Sequence, residues 1–128
     1  MNILCAERDR TKLRQLKRDL REVVPGADIT VCRDPRKAEA AAKAKGCDVL
    51  VTDTVFDGFA LDGIMLAEQI RRVNPSANLI FVTDYADSSA ALEAWRLRAC
   101  AFLQRPYDKQ QLAEAFTNPR FIPAQPDE

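Results

Sequence analysis

The sequence predicts an α/β fold in which five parallel strands form an open sheet with helices on both faces. Segments with strand character alternate with segments with helical character, so that the order β-α occurs five times. The third and fourth strand segments are continuous apolar runs, which is typical of a parallel sheet covered on both faces. Five such units are too few for a closed barrel, and a doubly wound open sheet is therefore expected.

The five strands are predicted from short apolar runs. They lie at 2–6, 27–32, 48–53, 78–83 and 100–104. Ligands of doubly wound sheets bind outside the carboxyl ends of the strands, so the residues that follow each run are the first candidates for a functional site.

The five helices are predicted from apolar residues at helical spacing and from residues that start or end a helix. The first is expected to have Thr11 as its N-cap, and the fourth to be capped by Ser88 or Ser89. The predicted helices span about 11–24, 34–45, 64–73, 88–97 and 108–116. Residues 1–117 then form one domain, and the Pro-rich residues 118–128 form a C-terminal tail or the start of a linker.

Composition excludes several classes of function. The 128 residues are 47% hydrophobic and 30% charged, as expected for one globular domain. Lys plus Arg and Asp plus Glu are both 19, so no overall positive charge favours nucleic acid. No apolar run is long enough to span a membrane and no signal-peptide pattern is present, so we expect a cytoplasmic protein.

The chain contains four cysteines and no histidine. The cysteines form no CxxC pair, and without histidine neither a Cys/His zinc site nor Ser-His or Cys-His catalysis is expected. We therefore interpret the four cysteines as small buried hydrophobic residues. They are Cys5, Cys32, Cys47 and Cys100.

Charged and hydroxyl residues gather at the predicted carboxyl edge of the sheet. They are Glu7, Arg8 and Asp9 after the first strand, Asp53 at the end of the third, Thr83 and Asp84 at the fourth, and Arg105 after the fifth. A carboxylate at the tip of an apolar strand is costly unless it has a partner or a use. Converging carboxylates favour Mg²⁺, and a carboxylate can attack phosphorus to form an acyl phosphate. A hydroxyl and a cation would then stabilise charge on the phosphoryl oxygens.

Two stretches carry a resemblance to a known family. They are VLVTDTVFDG at 49–58 and NLIFVTDYADSSAALEAWRLRACAFLQRPYDKQQLAEAF at 78–116. Over about residues 1–116 the chain resembles the receiver domains of two-component response regulators. It is most similar to receivers of the LytTR type, which usually precede a DNA-binding domain. The resemblance implies a flavodoxin-like (βα)5 fold with strand order 2-1-3-4-5.

The resemblance also implies roles for individual residues. Asp53 corresponds to the phosphoacceptor, Thr83 to the switch hydroxyl and Phe102 to the rotating aromatic residue. Arg105 takes the place of the family's lysine. Gly63 corresponds to a glycine before the third helix, and the bond between Arg105 and Pro106 to one that is usually cis in this family.

The implied metal is Mg²⁺, with Glu7, Asp9 and Asp53 as its ligands. The family has two acidic residues after the first strand, but Arg8 stands where a direct ligand is expected, so Asp9 is the replacement after a shift of one residue. Asp84 is a negative charge where the family has a small residue. Phe56-Asp57 replaces the usual Met-Pro, and the loop to Gly63 is about two residues longer.

Three functions follow as hypotheses. The first is a working receiver that takes a phosphoryl group from a histidine kinase onto Asp53. It then switches a partner or an output domain, with DNA contacted only through such a domain. Its switching face, formed by the fourth helix, fifth strand and fifth helix, also suits homodimerisation. The cation-rich first helix is either a solvated face or a kinase docking surface.

The second hypothesis is a pseudo-receiver, an interaction module that keeps the fold without the phosphorylation switch. It is motivated by Arg8 and Asp84. The third is a small phosphatase with an aspartyl nucleophile, because VLVTDTVFDG is superficially similar to the haloacid dehalogenase signature. The second acid of that signature is Val55 here, so the general acid is missing.

Overall fold

A computed structural model describes residues 1–85 and 87–117. The described residues form five strands and five helices in strict alternation. The strands are β1 (Asn2–Ala6), β2 (Asp28–Cys32), β3 (Val49–Thr52), β4 (Asn78–Thr83) and β5 (Ala101–Gln104). The helices are α1 (Arg10–Val23), α2 (Pro35–Lys45), α3 (Gly63–Val73), α4 (Ser88–Arg96) and α5 (Lys109–Thr117). The predicted tail, 118–128, lies outside the described residues.

The strands form one sheet in the order β2-β1-β3-β4-β5, and all four strand pairs are parallel. This confirms the predicted fold class and strand order. The central strand β3 pairs with both β1 and β4, with Thr52 opposite Ala6 on one side and Phe81 on the other. The residue that follows β3 therefore lies at the middle of the carboxyl edge.

The core has two halves because alternate residues of each strand face opposite sides of the sheet. On one face α1 and α5 bury their leucines, including Leu16 and Leu112, against β-strand residues such as Val51 and Val82. On the other face α2, α3 and α4 pack against residues that include Phe81. Every residue of β3 is buried, as the continuous apolar run predicted.

Two predicted helix caps are wrong. The N-cap of α1 is Asp9, whose carboxylate accepts a hydrogen bond from the Lys12 N–H, and Thr11 lies inside the helix. The N-cap of α4 is Asp87, whose carboxylate accepts from the Ala90 N–H. In both places an aspartate just upstream of a hydroxyl residue has the extended backbone that a cap requires, and the helix begins one or two residues earlier than predicted.

The cysteines behave largely as predicted. Cys5, Cys47 and Cys100 are buried and Cys32 is partly buried. Burial raises the pKa of each thiol, and that of Cys47 to about 11. No helix in the described part of the chain is long and apolar enough to cross a membrane.

Candidate functional site

Three strands deliver polar side chains to the middle of the carboxyl edge. Glu7 follows β1, Asp53 follows β3, and Thr83 ends β4. These three residues, together with Asp84, line a cleft of about 200 Å³. The Asp53 carboxylate is 10% exposed, so it lies within the edge but can be reached from the cleft.

The side chain that joins these groups is Arg105, which follows β5. Its Nη2 lies 2.7 Å from Glu7 Oε1, and its Nη1 lies 3.3 Å from Asp53 Oδ2 and 3.5 Å from Asp84 Oδ1. Burial lowers the pKa of the guanidinium, but the charges of Glu7 and Asp53 outweigh it and raise the pKa overall. Arg105 therefore stays charged and bridges carboxylates from three strand ends.

Lys12 adds a second cation. Its ammonium group pairs with Asp84 Oδ2, and this bond lowers the pKa of the Asp84 carboxyl. Lys12 lies in the first turn of α1, where helical side chains lean toward the N-terminus and so toward this edge. Glu7, Asp53, Asp84, Arg105 and Lys12 are called the Arg105 cluster below.

Glu7 is the most buried acid of the cluster, with 3% of its surface exposed. Its Oε2 accepts a hydrogen bond of 2.7 Å from the Asp9 N–H. Burial, then a hydrogen bond with Asp53, raises the pKa of Glu7 from 4.5 to about 7, although Arg105 opposes the change. Near neutral pH the Glu7 carboxyl group is therefore only partly ionised.

The Thr83 hydroxyl is fully buried and has three hydrogen bonds. It accepts from the Thr54 hydroxyl at 3.1 Å and from the Tyr85 N–H at 3.2 Å, and it lies 3.3 Å from the Tyr85 carbonyl oxygen. The hydroxyl is thus tied to the residue after Asp53 and to the start of the β4–α4 loop. Sequence reasoning missed Thr54, although its position directly after Asp53 was a usable signal.

Gly63 allows the loop after Asp53 to return to the sheet edge. Its N–H donates to the Thr54 carbonyl at 3.1 Å, and a Cβ at this position would lie 1.7 Å from the Asp53 carbonyl oxygen. Only a residue without a side chain permits this approach. The loop between them buries Phe56 and turns at Gly58, whose φ is +87°.

Two predicted residues lie at the rim rather than in the cluster. Asp9 is exposed, and its carboxylate caps α1. The Arg8 side chain is exposed as well, and its carbonyl oxygen accepts a hydrogen bond from Arg33. Among the described residues no ion pair joins Arg8 to Asp53.

Phe102 lies on β5 beside Phe81 of β4, with ring centroids 6.4 Å apart. The next cross-strand pair on this side of the sheet is Thr83 with Gln104, two residues along each strand. The Phe102 side chain lines a groove between α4 and α5. The predicted cis bond between Arg105 and Pro106 is present.

The donor set does not fit Mg²⁺ in this arrangement. Of the three predicted ligands, Glu7 and Asp53 are together, whereas Asp9 caps a helix. The described residues contain no group of three acidic or cysteine side chains with metal-site spacing. The space that Glu7, Asp53 and Asp84 share is instead spanned by a guanidinium.

Comparison with known sequences identifies one family. The profile of the response regulator receiver domain matches residues 3–117. The DNA-binding transcriptional regulator NtrC of Escherichia coli K12 is 32% identical over 91 residues, which is 70% of this chain and 19% of NtrC. NtrC of Salmonella typhimurium LT2 is 31% identical over 83 residues, which is 65% of this chain and 17% of NtrC. The chain thus spans less than a fifth of these relatives.

Comparison with solved structures supports the fold. A receiver domain from Clostridium thermocellum superposes with a TM-score of 0.79 and 23% identity, covering 91% of both chains. The signal receiver domain of an HD domain-containing protein from Pseudomonas fluorescens Pf-5 gives a TM-score of 0.81 and 22% identity, covering 92% of both chains. At these identities the structures show a shared fold alone.

Proposed function

Because the chain belongs to the response regulator receiver domains and is related to NtrC, we propose that it accepts a phosphoryl group on Asp53 and thereby switches a partner. The observation that carries the proposal is the position of Asp53. It follows the central strand, opens to the cleft and lies 3.3 Å from Arg105. Receiver domains work in phosphorelay signal transduction, so this is the chemistry to test first.

In the proposed reaction, one carboxylate oxygen of Asp53 attacks the phosphorus of a phosphohistidine on a histidine kinase. The phosphorus–nitrogen bond breaks, and the imidazole nitrogen keeps the electron pair and takes up a proton. Arg105 stabilises the charge on the transferred phosphoryl oxygens. The protein's own activity is limited to this self-phosphorylation and to loss of the group by hydrolysis.

The switch is proposed to run through Thr83. New phosphoryl oxygens beside Asp53 compete for the Thr83 hydroxyl, which now bonds Thr54 and the backbone of Tyr85. Turning this hydroxyl toward the phosphoryl group breaks its bonds to the β4–α4 loop. The groove beside Phe102 then changes shape, because the same loop leads into α4.

The partners are proposed from the family. A histidine kinase supplies the phosphoryl group, with α1 and its exposed arginines as a docking surface. The receiver domain occupies residues 1–117, with 118–128 as a tail or the start of a linker to an output domain. NtrC relatives are DNA-binding transcriptional regulators by name, so a transcriptional output in the cytoplasm fits. Homodimerisation through α4, β5 and α5 is the alternative use of the switching face.

One observation favours a second function, that of a pseudo-receiver. The Arg105 cluster already neutralises Asp53 without a phosphoryl group, so the protein can hold one state and bind a partner constitutively.

Mg²⁺ binding is a property of the family. The predicted site at Glu7, Asp9 and Asp53 stays a prediction, and no step above depends on it.

Incubation with acetyl phosphate, followed by intact mass measurement, tests the proposed function. We expect a gain of one phosphoryl group that is lost in Asp53→Asn. Asp28→Asn is the matched control, because Asp28 is an exposed aspartate at the start of β2, at the opposite edge of the sheet, and it should be phosphorylated like the wild type. No gain in any condition would favour the pseudo-receiver.

A further inference from the structure

We infer that Arg105 is a resident cation that takes the place of a divalent metal, so that the Asp53 site works without Mg²⁺. Only the claim that the Asp53 site works without Mg²⁺ rests on the proposed function. Whether the site binds metal is a separate question, which can be answered even if Asp53 is never phosphorylated. Three features of the Arg105 cluster support it.

The first feature is that all six carboxylate oxygens of Glu7, Asp53 and Asp84 already accept a hydrogen bond or ion pair. Mg²⁺ requires oxygen ligands in near-octahedral geometry and gives up its water reluctantly. To bind here it would have to displace hydrogen-bond donors, which lie at 2.7–3.5 Å apart from the Lys12 ammonium group paired with Asp84. These donors are the backbone N–H groups of Asp9 and Val55, the Arg105 guanidinium and the Lys12 ammonium.

The second feature is the balance of charge. Three carboxylates face two cations, Arg105 and Lys12, which leaves at most one uncompensated negative charge. A site of this kind attracts a divalent ion far less than three free carboxylates would. Exposed Arg8 adds positive charge at the rim of the same cleft.

The third feature is that Arg105 is held in place. Its side chain is 13% exposed, and its backbone N–H donates to the Thr83 carbonyl at 2.8 Å. Two residues later the Tyr107 hydroxyl donates to Asp19, a buried acid of α1. The segment after β5 is therefore fixed to β4 on one side and to α1 on the other.

Arginine suits this role better than lysine does. The planar guanidinium presents N–H groups in several fixed directions, so Nη2 reaches Glu7 while Nη1 reaches Asp53 and Asp84. A lysine ammonium is a compact point charge on a flexible stem and cannot span the same three carboxylates with this geometry. Arg105 thus joins the three carboxylates as a bridging metal would, but it is part of the chain.

Metal binding by the full chain tests the inference directly. Mn²⁺ serves as the probe, and the electron paramagnetic resonance signal of free Mn²⁺ is recorded during a titration to millimolar metal. We expect the wild type to leave Mn²⁺ free. Arg105→Gln should bind Mn²⁺ at least about tenfold more tightly. An adjacent cation changes the proton affinity of a carboxylate by about tenfold or more, and we expect a similar effect on its affinity for a metal ion. Arg72→Gln, at an exposed arginine of α3, should match the wild type.

A second variant covers the case in which Arg105→Gln does not fold. Arg105→Lys keeps the charge but frees some of the oxygens, so we expect a smaller gain in Mn²⁺ affinity. Wild-type binding that is lost in Asp53→Asn would overturn the inference. So would the absence of any gain in those Arg105 variants that circular dichroism shows to be folded.

Acetyl phosphate separates this inference from the proposed function. Equal phosphorylation of the wild type in Mg²⁺ and in EDTA supports a resident cation. Phosphorylation that requires Mg²⁺ overturns the inference and leaves the proposed function intact. If no phosphorylation occurs in either condition, the proposed function fails, and the Mn²⁺ titration still decides whether Arg105 excludes metal.

Discussion

The Asp53 edge and the groove on the far side of β5 differ in how they are held together. At the edge, Arg105 after β5 forms ion pairs with acids that follow β1, β3 and β4, and Lys12 of α1 pairs with one of them, Asp84. The groove, of about 370 Å³, is lined by α4, β5 and α5, mostly with alanines and apolar residues, and with Gln111 and Glu114 of α5. In α4 only Ala94 is buried, while Trp95 is 65% and Leu92 is 51% exposed.

This difference indicates how a signal can travel. An edge fixed by many directional contacts holds its geometry, whereas a helix with one buried residue can shift at small cost. At the edge, a change at Asp53 is therefore expected to alter the Thr83 hydrogen bonds and little else. Its main consequence should be movement of α4. Substitutions that disturb the edge should therefore cost more stability than substitutions in α4.

Gly63→Ala should be the most damaging change at the edge. The added Cβ meets the Asp53 carbonyl oxygen, and the backbone must move. We expect a loss of about 3 kcal/mol in the free energy of unfolding, measured by urea denaturation. Gly26→Ala is the control: it has open space but a φ of +86°, and should lose about 1 kcal/mol. Equal losses would contradict the close-approach argument.

Glu7 should make the stability of the wild type depend on pH. Its pKa is raised from 4.5 when unfolded to about 7 when folded, chiefly by burial. Between these values the folded state binds more protons, so the free energy of unfolding falls as pH rises through this window, by on the order of 3 kcal/mol. Glu7→Gln should remove this slope.

Urea denaturation across the same window measures the effect. Glu68→Gln, at an exposed glutamate of α3, is the matched control and should keep the wild-type slope. An identical pH dependence in wild type and Glu7→Gln would show that Glu7 does not titrate as a buried acid.

Tyr107→Phe tests whether the Tyr107–Asp19 hydrogen bond holds the segment after β5, which carries Arg105, against α1. It leaves the buried carboxylate of Asp19 without its hydroxyl donor, and we expect a loss of about 2 kcal/mol in the free energy of unfolding. Lys109→Gln breaks a neighbouring but exposed pair with Glu22 and should cost less than about 0.5 kcal/mol. Similar losses in both variants would mean that the segment is not anchored through Tyr107.

Trp95→Ala should have the smallest effect on stability, because the side chain is 65% exposed. We expect a change within about 0.5 kcal/mol, measured by thermal unfolding in parallel with Gly63→Ala. A loss comparable to that of Tyr107→Phe would show that α4 is as firmly held as the edge.

The sequence predicted the parts of the site that depend on strand ends. Apolar runs located β3 and β4, and Asp53 and Thr83 followed at the expected edge. The family resemblance added the strand order and the cis bond before Pro106. These features are local, or belong to the whole family, and so one sequence can reveal them.

The contacts that tie the edge together could not be predicted in the same way. Lys12 and Asp84 are 72 residues apart and Asp19 and Tyr107 are 88 apart, and no spacing rule joins them. On α1 Lys12 was one cation among several on a helix interpreted as a solvated or docking face. Its inclusion in the site depends on the direction of its side chain, which only the packed structure gives.

Locating the modified residue tests whether Asp53 is the phosphoacceptor. After treatment with acetyl phosphate, borohydride reduction converts an aspartyl phosphate to homoserine, and tandem mass spectrometry of the peptides shows where. We expect homoserine at position 53 and at no other aspartate. Homoserine at position 84, or unmodified Asp53 after exhaustive treatment, would contradict it.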